Sequence, residues 1–135
     1  MSVTLNPYIS FDGDGRAALE FYHSVFGGEL RASTFGEYGV TEEGVAGKLM
    51  HGQLTTPDGF TLMVADTPPG MPYEPGTAIT VSLSGDEEDK LRGWWDALSA
   101  SGTVTMPLEK QMWGDVYGAC KDRFGVDWMV NIAQG

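Results

Sequence analysis

Two hydrophobic periodicities alternate along the chain, and the same order occurs twice. Positions that alternate between apolar and polar residues predict strands, whereas apolar residues three and four positions apart predict a helix. The first half predicts strands at 5–11, 29–35, 48–55 and 60–66, with an apolar helix stripe at Ala18, Phe21, Tyr22, Val25 and Phe26. The second half predicts strands at 77–83, 103–109, 116–121 and 126–132, with a helix stripe at Leu91, Trp94, Trp95 and Leu98. The pattern therefore predicts strand, helix and three strands, repeated once.

An internal repeat supports that order. Residues 56–64 are echoed by residues 122–130, so that Gly59 matches Gly125 and Met63 matches Met129 at one offset. Residues 67–76, which contain four prolines and two glycines, separate the halves and leave no room for a regular element. We expect one domain, residues 1–135, made of two modules at about 1–66 and 77–135 that are joined by this linker.

Strand alternation divides each predicted sheet into two unlike faces. The apolar face, which would pack under the helices, collects Ile9, Phe11, Leu62, Val64, Ile79, Val81, Leu83, Trp128, Val130 and Ile132. The opposite face is mixed and collects Tyr8, Ser10, His51, Gln53, Met63, Thr80, Ser82, Tyr117, Met129 and Asn131. Hydroxyls, amides and thioethers beside aromatic rings favour a ligand pocket. A dimer interface or a partly filled barrel is the alternative.

Composition narrows the classes of partner. The 19 acidic and 8 basic residues give a net charge of −11, which disfavours nucleic acid and anionic lipid surfaces. No apolar run approaches the length needed to span a bilayer, and the N-terminal segment has no secretion signal, so we expect a cytoplasmic protein. Cys120 is the single cysteine, which excludes an intrachain disulfide and is read as a buried strand residue.

Five sequence segments carry a resemblance to a known family. They are PYISF at 7–11, ALEFYHSVFGG at 18–28, MHGQL at 50–54, QMWGDVYG at 111–118 and DRFGVDWMVN at 122–131. The chain resembles the vicinal oxygen chelate superfamily, which includes glyoxalases, extradiol dioxygenases and bleomycin-resistance proteins, and within it the PhnB-like group. The resemblance implies an α+β fold in which two βαβββ modules form a half-open, eight-stranded mixed-sheet cleft. It also implies a homodimer.

Metal enzymes of this superfamily hold a divalent ion with side chains from the first and last strands of each module. By resemblance these positions fall at Tyr8, Met63, Thr80 and Met129, with Ser10 and Ser82 as alternatives one register step away. Thioethers and neutral hydroxyls are poor ligands for such ions. We therefore expect neither the usual metal site nor another cofactor.

The candidate ligand-binding residues come from the mixed face and from the last loop. They are Tyr8, His51, Gln53, Met63, Thr80, Glu109, Gln111, Trp113, Tyr117 and Met129. His51 could move a proton at neutral pH, and Glu109 or Asp115 could orient it, but no catalytic residue is identified. The leading hypothesis is a metal-free small-molecule binder similar to bleomycin-resistance proteins. Two alternatives stay open: a metal-dependent lyase, isomerase or dioxygenase built around His51, and a structural or regulatory dimer.

Overall fold

The computed structural model describes residues 3–134, which form two compact units that meet between residues 75 and 76 of the chain. Residues 1, 2 and 135, which are the ends of the predicted modules, lie outside the described residues. Each unit contains a four-stranded mixed sheet and one α-helix in the order βαβββ, as the sequence predicted. The segment at 67–75 forms neither helix nor strand and belongs to unit one.

Unit one contains strands β1 (Tyr8–Phe11), β2 (Glu29–Thr34), β3 (Leu49–Thr55) and β4 (Thr61–Asp66), and helix α1 (Gly15–Phe26). A short 3-10 helix, Gly36–Tyr38, lies between the predicted strands at 29–35 and 48–55. The strand order is β1-β4-β3-β2, with β1 parallel to β4 and the other neighbours antiparallel. The first strand is shorter than predicted, because it begins at Tyr8 rather than at residue 5.

Helix α1 covers the apolar face of the first sheet. Leu19, which the predicted stripe omitted, is fully buried, whereas Phe21 is only half-buried. An ideal Cβ added to Gly52 of β3 would lie 2.6 Å from Leu19 Cδ2. Gly52 therefore permits the close approach of helix and sheet. The same sheet face holds Leu62 and Val64, both buried as predicted.

Unit two contains strands β5 (Val81–Gly85), β6 (Thr103–Lys110), β7 (Val116–Lys121) and β8 (Asp127–Ile132), and helix α2 (Glu88–Ala100). The strand order is β5-β8-β7-β6, again with one parallel pair, β5 with β8. On the helix side, the side chains of Trp128, Val130 and Ile132 are inaccessible to solvent. Trp95 is buried, and Trp94 is half-buried.

The predicted start of the fifth strand is wrong. Ile79 is 82% exposed, and neither Ile79 nor Thr80 is part of a strand, because β5 begins at Val81 opposite Trp128 of β8. Strand β8 itself begins at Asp127, directly after a turn, so it offers no backbone partners to residues that precede Val81 by more than one position. The alternation of apolar and polar residues at 77–83 therefore extends beyond the part of β5 that pairs with β8.

The repeated sequence at 56–64 and 122–130 forms equivalent turns in the two units. In unit one, the Thr56 N–H donates to Phe60 O at 3.0 Å, and the Thr56 hydroxyl accepts from the Phe60 N–H at 3.2 Å. In unit two, the Asp122 N–H donates to Val126 O at 2.9 Å. The Asp122 carboxylate accepts from Val126 N–H at 3.1 Å and from the indole N–H of Trp128 at 2.8 Å.

A buried carboxylate joins three elements of unit one. Asp66, 2% exposed at the end of β4, accepts hydrogen bonds from the backbone N–H groups of Gly13 (2.9 Å), Gly15 (2.8 Å) and Leu49 (2.9 Å). Asp14 precedes α1 but makes no side-chain capping bond. The acceptor at the start of α1 therefore comes from a strand about fifty residues away.

Candidate ligand-binding faces

The mixed face of unit one is the sheet surface opposite α1. Since Gly52, Leu62 and Val64 face the helix, their strand neighbours His51, Gln53 and Met63 lie on the other surface. Backbone register places Tyr8 beside Met63 and Met63 opposite Gln53, so three predicted site residues form one row across three strands. Tyr8 is 56% exposed, whereas Gln53 and Met63 are half-buried.

His51 lies beside this row and contacts its aromatic residue. The His51 and Tyr8 rings are stacked, with centroids 6.2 Å apart and planes inclined by 28°. On its other side, His51 lies opposite Ser33 of β2. The imidazole is half-buried and makes no hydrogen bond to the described residues, so its nitrogen atoms are available to a bound molecule.

The mixed face of unit two contains an aromatic pair and a thioether. Met129 lies between Ser82 and Ala119, and the next row holds Asn131 opposite Tyr117. The Tyr117 hydroxyl donates to Met129 Sδ at 4.0 Å. Sulfur is a weak acceptor, so the hydroxyl can donate instead to a stronger acceptor on a bound molecule.

A tight turn between β6 and β7 presents Trp113. Gln111 N–H donates to Asp115 O at 2.8 Å, and Gln111 Nε2 donates to Glu109 O at 2.9 Å. The turn needs glycine at position 114, where φ is +103°. Trp113 is 59% exposed and meets Tyr117 edge to face, with ring centroids 5.9 Å apart. The turn therefore fixes an exposed indole against the mixed face.

Two carboxylates accompany these aromatic rings. Asp115 accepts from Asn131 Nδ2 at 3.0 Å and from Gln134 N–H at 3.2 Å. These two bonds, the Asn131 bond first, lower the pKa of Asp115 against a smaller effect of desolvation. Glu109 lies directly opposite Tyr117 and is exposed. Asp115 and its partner Asn131 were absent from the predicted site residues, although Asn131 was placed on the mixed face.

Eight of the ten predicted site residues are brought together within one unit or the other. Unit one holds Tyr8, His51, Gln53 and Met63. Unit two holds Gln111, Trp113, Tyr117 and Met129. Glu109 borders the second group through its strand register. Thr80 belongs to neither, since it precedes β5, and Ser82 takes the place beside Met129. The hypothesis that Glu109 or Asp115 orients His51 joins residues of two units and stays a prediction.

The donor atoms at the projected metal positions do not suit a divalent ion. The register pairs Tyr8 with Met63 and Ser82 with Met129, which gives two neutral hydroxyls and two thioethers. Between residues 3 and 134, no group of three or more His, Cys, Asp and Glu side chains is arranged to hold a metal ion. The chemistry of these side chains favours contacts with an organic molecule.

Cys120 has the character of a core residue. It is 1% exposed in β7, and burial, followed by the nearby charges of Asp122 and Asp127, raises the pKa of its thiol to about 11. A thiol with this pKa is protonated at neutral pH and is a poor nucleophile.

None of the helices in the described part of the chain has the length and apolar character of a membrane span.

Comparison with known proteins places the chain in a family. The sequence profile of the Glyoxalase/Bleomycin resistance protein/Dioxygenase superfamily matches residues 4–130, and the chain belongs to this superfamily. It is 29% identical to protein YjdN of Escherichia coli K12, over 96% of this chain and 95% of that protein. It is 35% identical to uncharacterized protein Rv0887c of Mycobacterium tuberculosis H37Rv, over 92% of this chain and 71% of that protein.

Solved structures agree with that assignment. Protein PA1353 from Pseudomonas aeruginosa is 36% identical with a TM-score of 0.88, covering 99% of this chain and all of the other. A PhnB protein from Bacillus cereus has a TM-score of 0.76 at 22% identity, covering 97% of this chain and all of the other. At that identity the second likeness speaks for the fold alone. The predicted resemblance to the superfamily and the pair of βαβββ modules are confirmed.

Proposed function

We propose that this protein binds a small organic molecule on its mixed sheet faces, without the metal site used by enzymes of its superfamily. It acts as a cytoplasmic homodimer. The observation that carries the proposal is the arrangement in unit two, where an indole fixed by a tight turn meets Tyr117. The strand neighbours of Tyr117 are Glu109 and Asn131, and Asn131 donates to the carboxylate of Asp115.

That constellation favours a ligand with an aromatic part and a positive charge. Exposed aromatic rings bind flat apolar groups and cations through their faces, at about 0.5–2 kcal/mol for each cation. The net charge of −11 attracts cations to the whole molecule. Bleomycin-resistance proteins, which the chain resembles, are acidic dimers that sequester a cationic drug. Unit one has an aromatic surface of its own, the stacked rings of Tyr8 and His51.

Calorimetric titration and thermal shift with a panel of cationic glycopeptides and bulky metabolites test this function. A ligand present at about 100 times its Kd should raise the free energy of unfolding by about 2.7 kcal/mol. Trp113→Ala should weaken binding at least tenfold. Met112→Ala is the matched control, because Met112 lies in the same turn and is 99% exposed. Absence of heat and of thermal shift across the panel would count against the proposal.

A metal-dependent lyase, isomerase or dioxygenase built around His51 is the second candidate. The observation that favours it is the half-buried imidazole, whose nitrogen atoms have no partner among the described residues. Elemental analysis of the purified protein separates the two functions. A stoichiometric metal that is lost in His51→Ala and kept in His23→Ala would support the enzyme. Metal-free protein that still binds the organic ligand would support the binder.

The homodimer has its own test. Sedimentation equilibrium should give twice the mass of 14.6 kDa for one chain. A monomer that nevertheless binds the ligand would remove the dimer from the proposal and leave the binding function in place. A dimer with no ligand in the panel would instead favour the structural or regulatory alternative.

A further inference from the structure

A cavity of about 290 Å³ lies in unit two between helix α2 and edge strand β6, on the side of the sheet opposite the mixed face. Its lining residues are Arg92, Trp95, Asp96, Val104, Pro107 and Leu108. The three helix residues are spaced i, i+3 and i+4, so they form one face of α2. None of the six belongs to the site residues predicted from the sequence, and the proposed function does not use this cavity.

Irregular pairing of β6 forms one wall of the cavity. The register between β6 and β7 shifts twice, between Val104 and Met106 and between Met106 and Glu109. Such shifts mark β-bulges, which bend a strand and are common at sheet edges and near binding sites. At the second bulge, an ideal Cβ on Gly118 would lie 2.9 Å from Leu108 Cα. Glycine at 118 therefore admits the displaced backbone of β6.

Trp95 offers the cavity a hydrogen-bond donor. It is 7% exposed, and its indole N–H makes no hydrogen bond to the described residues. No side-chain nitrogen or oxygen in this part of the chain is both sealed from solvent and unpaired. The N–H of Trp95 is therefore accessible to solvent, although more than nine-tenths of the residue is buried. Because Trp95 lines this cavity, we take the cavity as the space to which its N–H is exposed.

The rim of the cavity carries one charge of each sign. Arg92 Nε donates to Glu88 Oε2 at 2.8 Å, and the other four guanidinium N–H groups have no partner among residues 3–134. Asp96 is exposed and accepts no hydrogen bond from the described residues. Opposite these polar groups, β6 contributes the apolar side chains of Val104, Pro107 and Leu108.

We propose that this cavity binds a small zwitterion, namely a free α-amino acid with an apolar side chain. The guanidinium of Arg92 and the N–H of Trp95 bind the carboxylate, Asp96 binds the ammonium group, and the β6 wall contacts the side chain. A pocket for a drug-sized ligand has a volume of about 300–1,000 Å³, so this one suits a smaller molecule. A purely anionic ligand is disfavoured by the net charge of −11, whereas a zwitterion carries no net charge.

Tryptophan fluorescence and calorimetry with free leucine test the proposal. Leucine should bind with a Kd between about 10 μM and 1 mM. N-acetyl-leucine lacks the ammonium group and leucinamide lacks the carboxylate, so each should bind at least tenfold more weakly. Absence of saturable binding by leucine, valine and phenylalanine at about 10 mM, well above the expected Kd, would overturn the proposal.

Variants assign the binding to this cavity. Asp96→Asn should weaken leucine binding at least tenfold, and Trp95→Phe, which keeps the ring packing, should weaken it several-fold. Asp89→Asn is the matched control, because it removes the same charge from an exposed position of the same helix away from the cavity. Equal losses in Asp96→Asn and Asp89→Asn would overturn the site. Trp113→Ala should leave leucine binding unchanged, which separates this inference from the proposed function.

Discussion

Replacing Asp66 should destabilise unit one more than its size suggests. The carboxylate accepts three backbone hydrogen bonds, and those from Gly15 and Leu49 are buried while that from Gly13 is partly buried. A buried donor left unsatisfied costs about 1–3 kcal/mol. In Asp66→Ala the two buried donors alone give about 2–6 kcal/mol. Water can replace the acceptor for the Gly13 N–H, so we expect a total near 4 kcal/mol.

Asp66→Asn separates hydrogen bonding from charge. An asparagine can offer its carbonyl oxygen to the Gly13 and Gly15 N–H groups, but its NH₂ group would then face the N–H of Leu49. One bond is lost and two donors meet, at a cost of about 2 kcal/mol. Glu43→Gln removes one negative charge from an exposed loop position and should change stability by less than about 0.5 kcal/mol.

Urea unfolding followed by far-UV circular dichroism measures these differences. Hydrogen exchange provides a local readout, since the Gly15 and Leu49 amides should be protected in the wild type and should lose that protection first in Asp66→Ala. If the free energy of unfolding of Asp66→Ala lies within about 1 kcal/mol of that of Glu43→Gln, the carboxylate does not hold the three elements together and the reasoning fails.

Three further predictions concern packing and titration. Gly52→Ala should cost about 1–3 kcal/mol by urea unfolding, because its Cβ would lie 2.6 Å from Leu19 Cδ2; an unchanged midpoint would show that the helix can shift freely. Cys120 should not react with a thiol reagent at pH 8 until the protein unfolds, and immediate labelling would contradict its burial. Because its pKa rises from 9.0 to about 11 on folding, its contribution to stability is full below pH 9 and is lost as the pH rises through 11. The lowered pKa of Asp115 works in the opposite direction: its contribution is present above its ordinary value of 3.8 and is lost as the pH falls through the folded pKa. The stability difference between wild type and Asp115→Asn should therefore shrink in acid, and a difference that persists at pH 2 would refute this assignment.

The strand and helix order could be predicted because burial follows simple periodicities. Leu62 and Val64 in one unit, and Val130 and Ile132 in the other, occupy alternate strand positions and are buried as the pattern requires. The pattern fails at Ile79 because alternation describes which side chains suit a sheet and does not show where the partner strand ends. Pairing with β8 limits β5, and that limit is set about fifty residues later in the chain.

The candidate site was predictable only where it depends on strand register. Tyr8, Gln53 and Met63 share a face because alternate residues of paired strands do so. The interaction of Asp115 with Asn131 was missed because it joins a loop to a strand across 16 positions and has no periodicity. The role of Asp66 left one signal in the sequence: glycines at 13 and 15 before a helix imply closely approaching backbone, but they do not name the acceptor.

The two repeated turns are not interchangeable. Thr56 satisfies its turn with one hydroxyl, and an aspartate there would find the same backbone donor at Phe60. Asp122 has an additional duty, since its second oxygen is the acceptor for the indole of Trp128, whose counterpart in the first repeat is Leu62. A threonine at 122 would remove the carboxylate oxygen that accepts the hydrogen bond of this buried indole. The second turn can therefore take the residues of the first only if positions 122 and 128 are changed together.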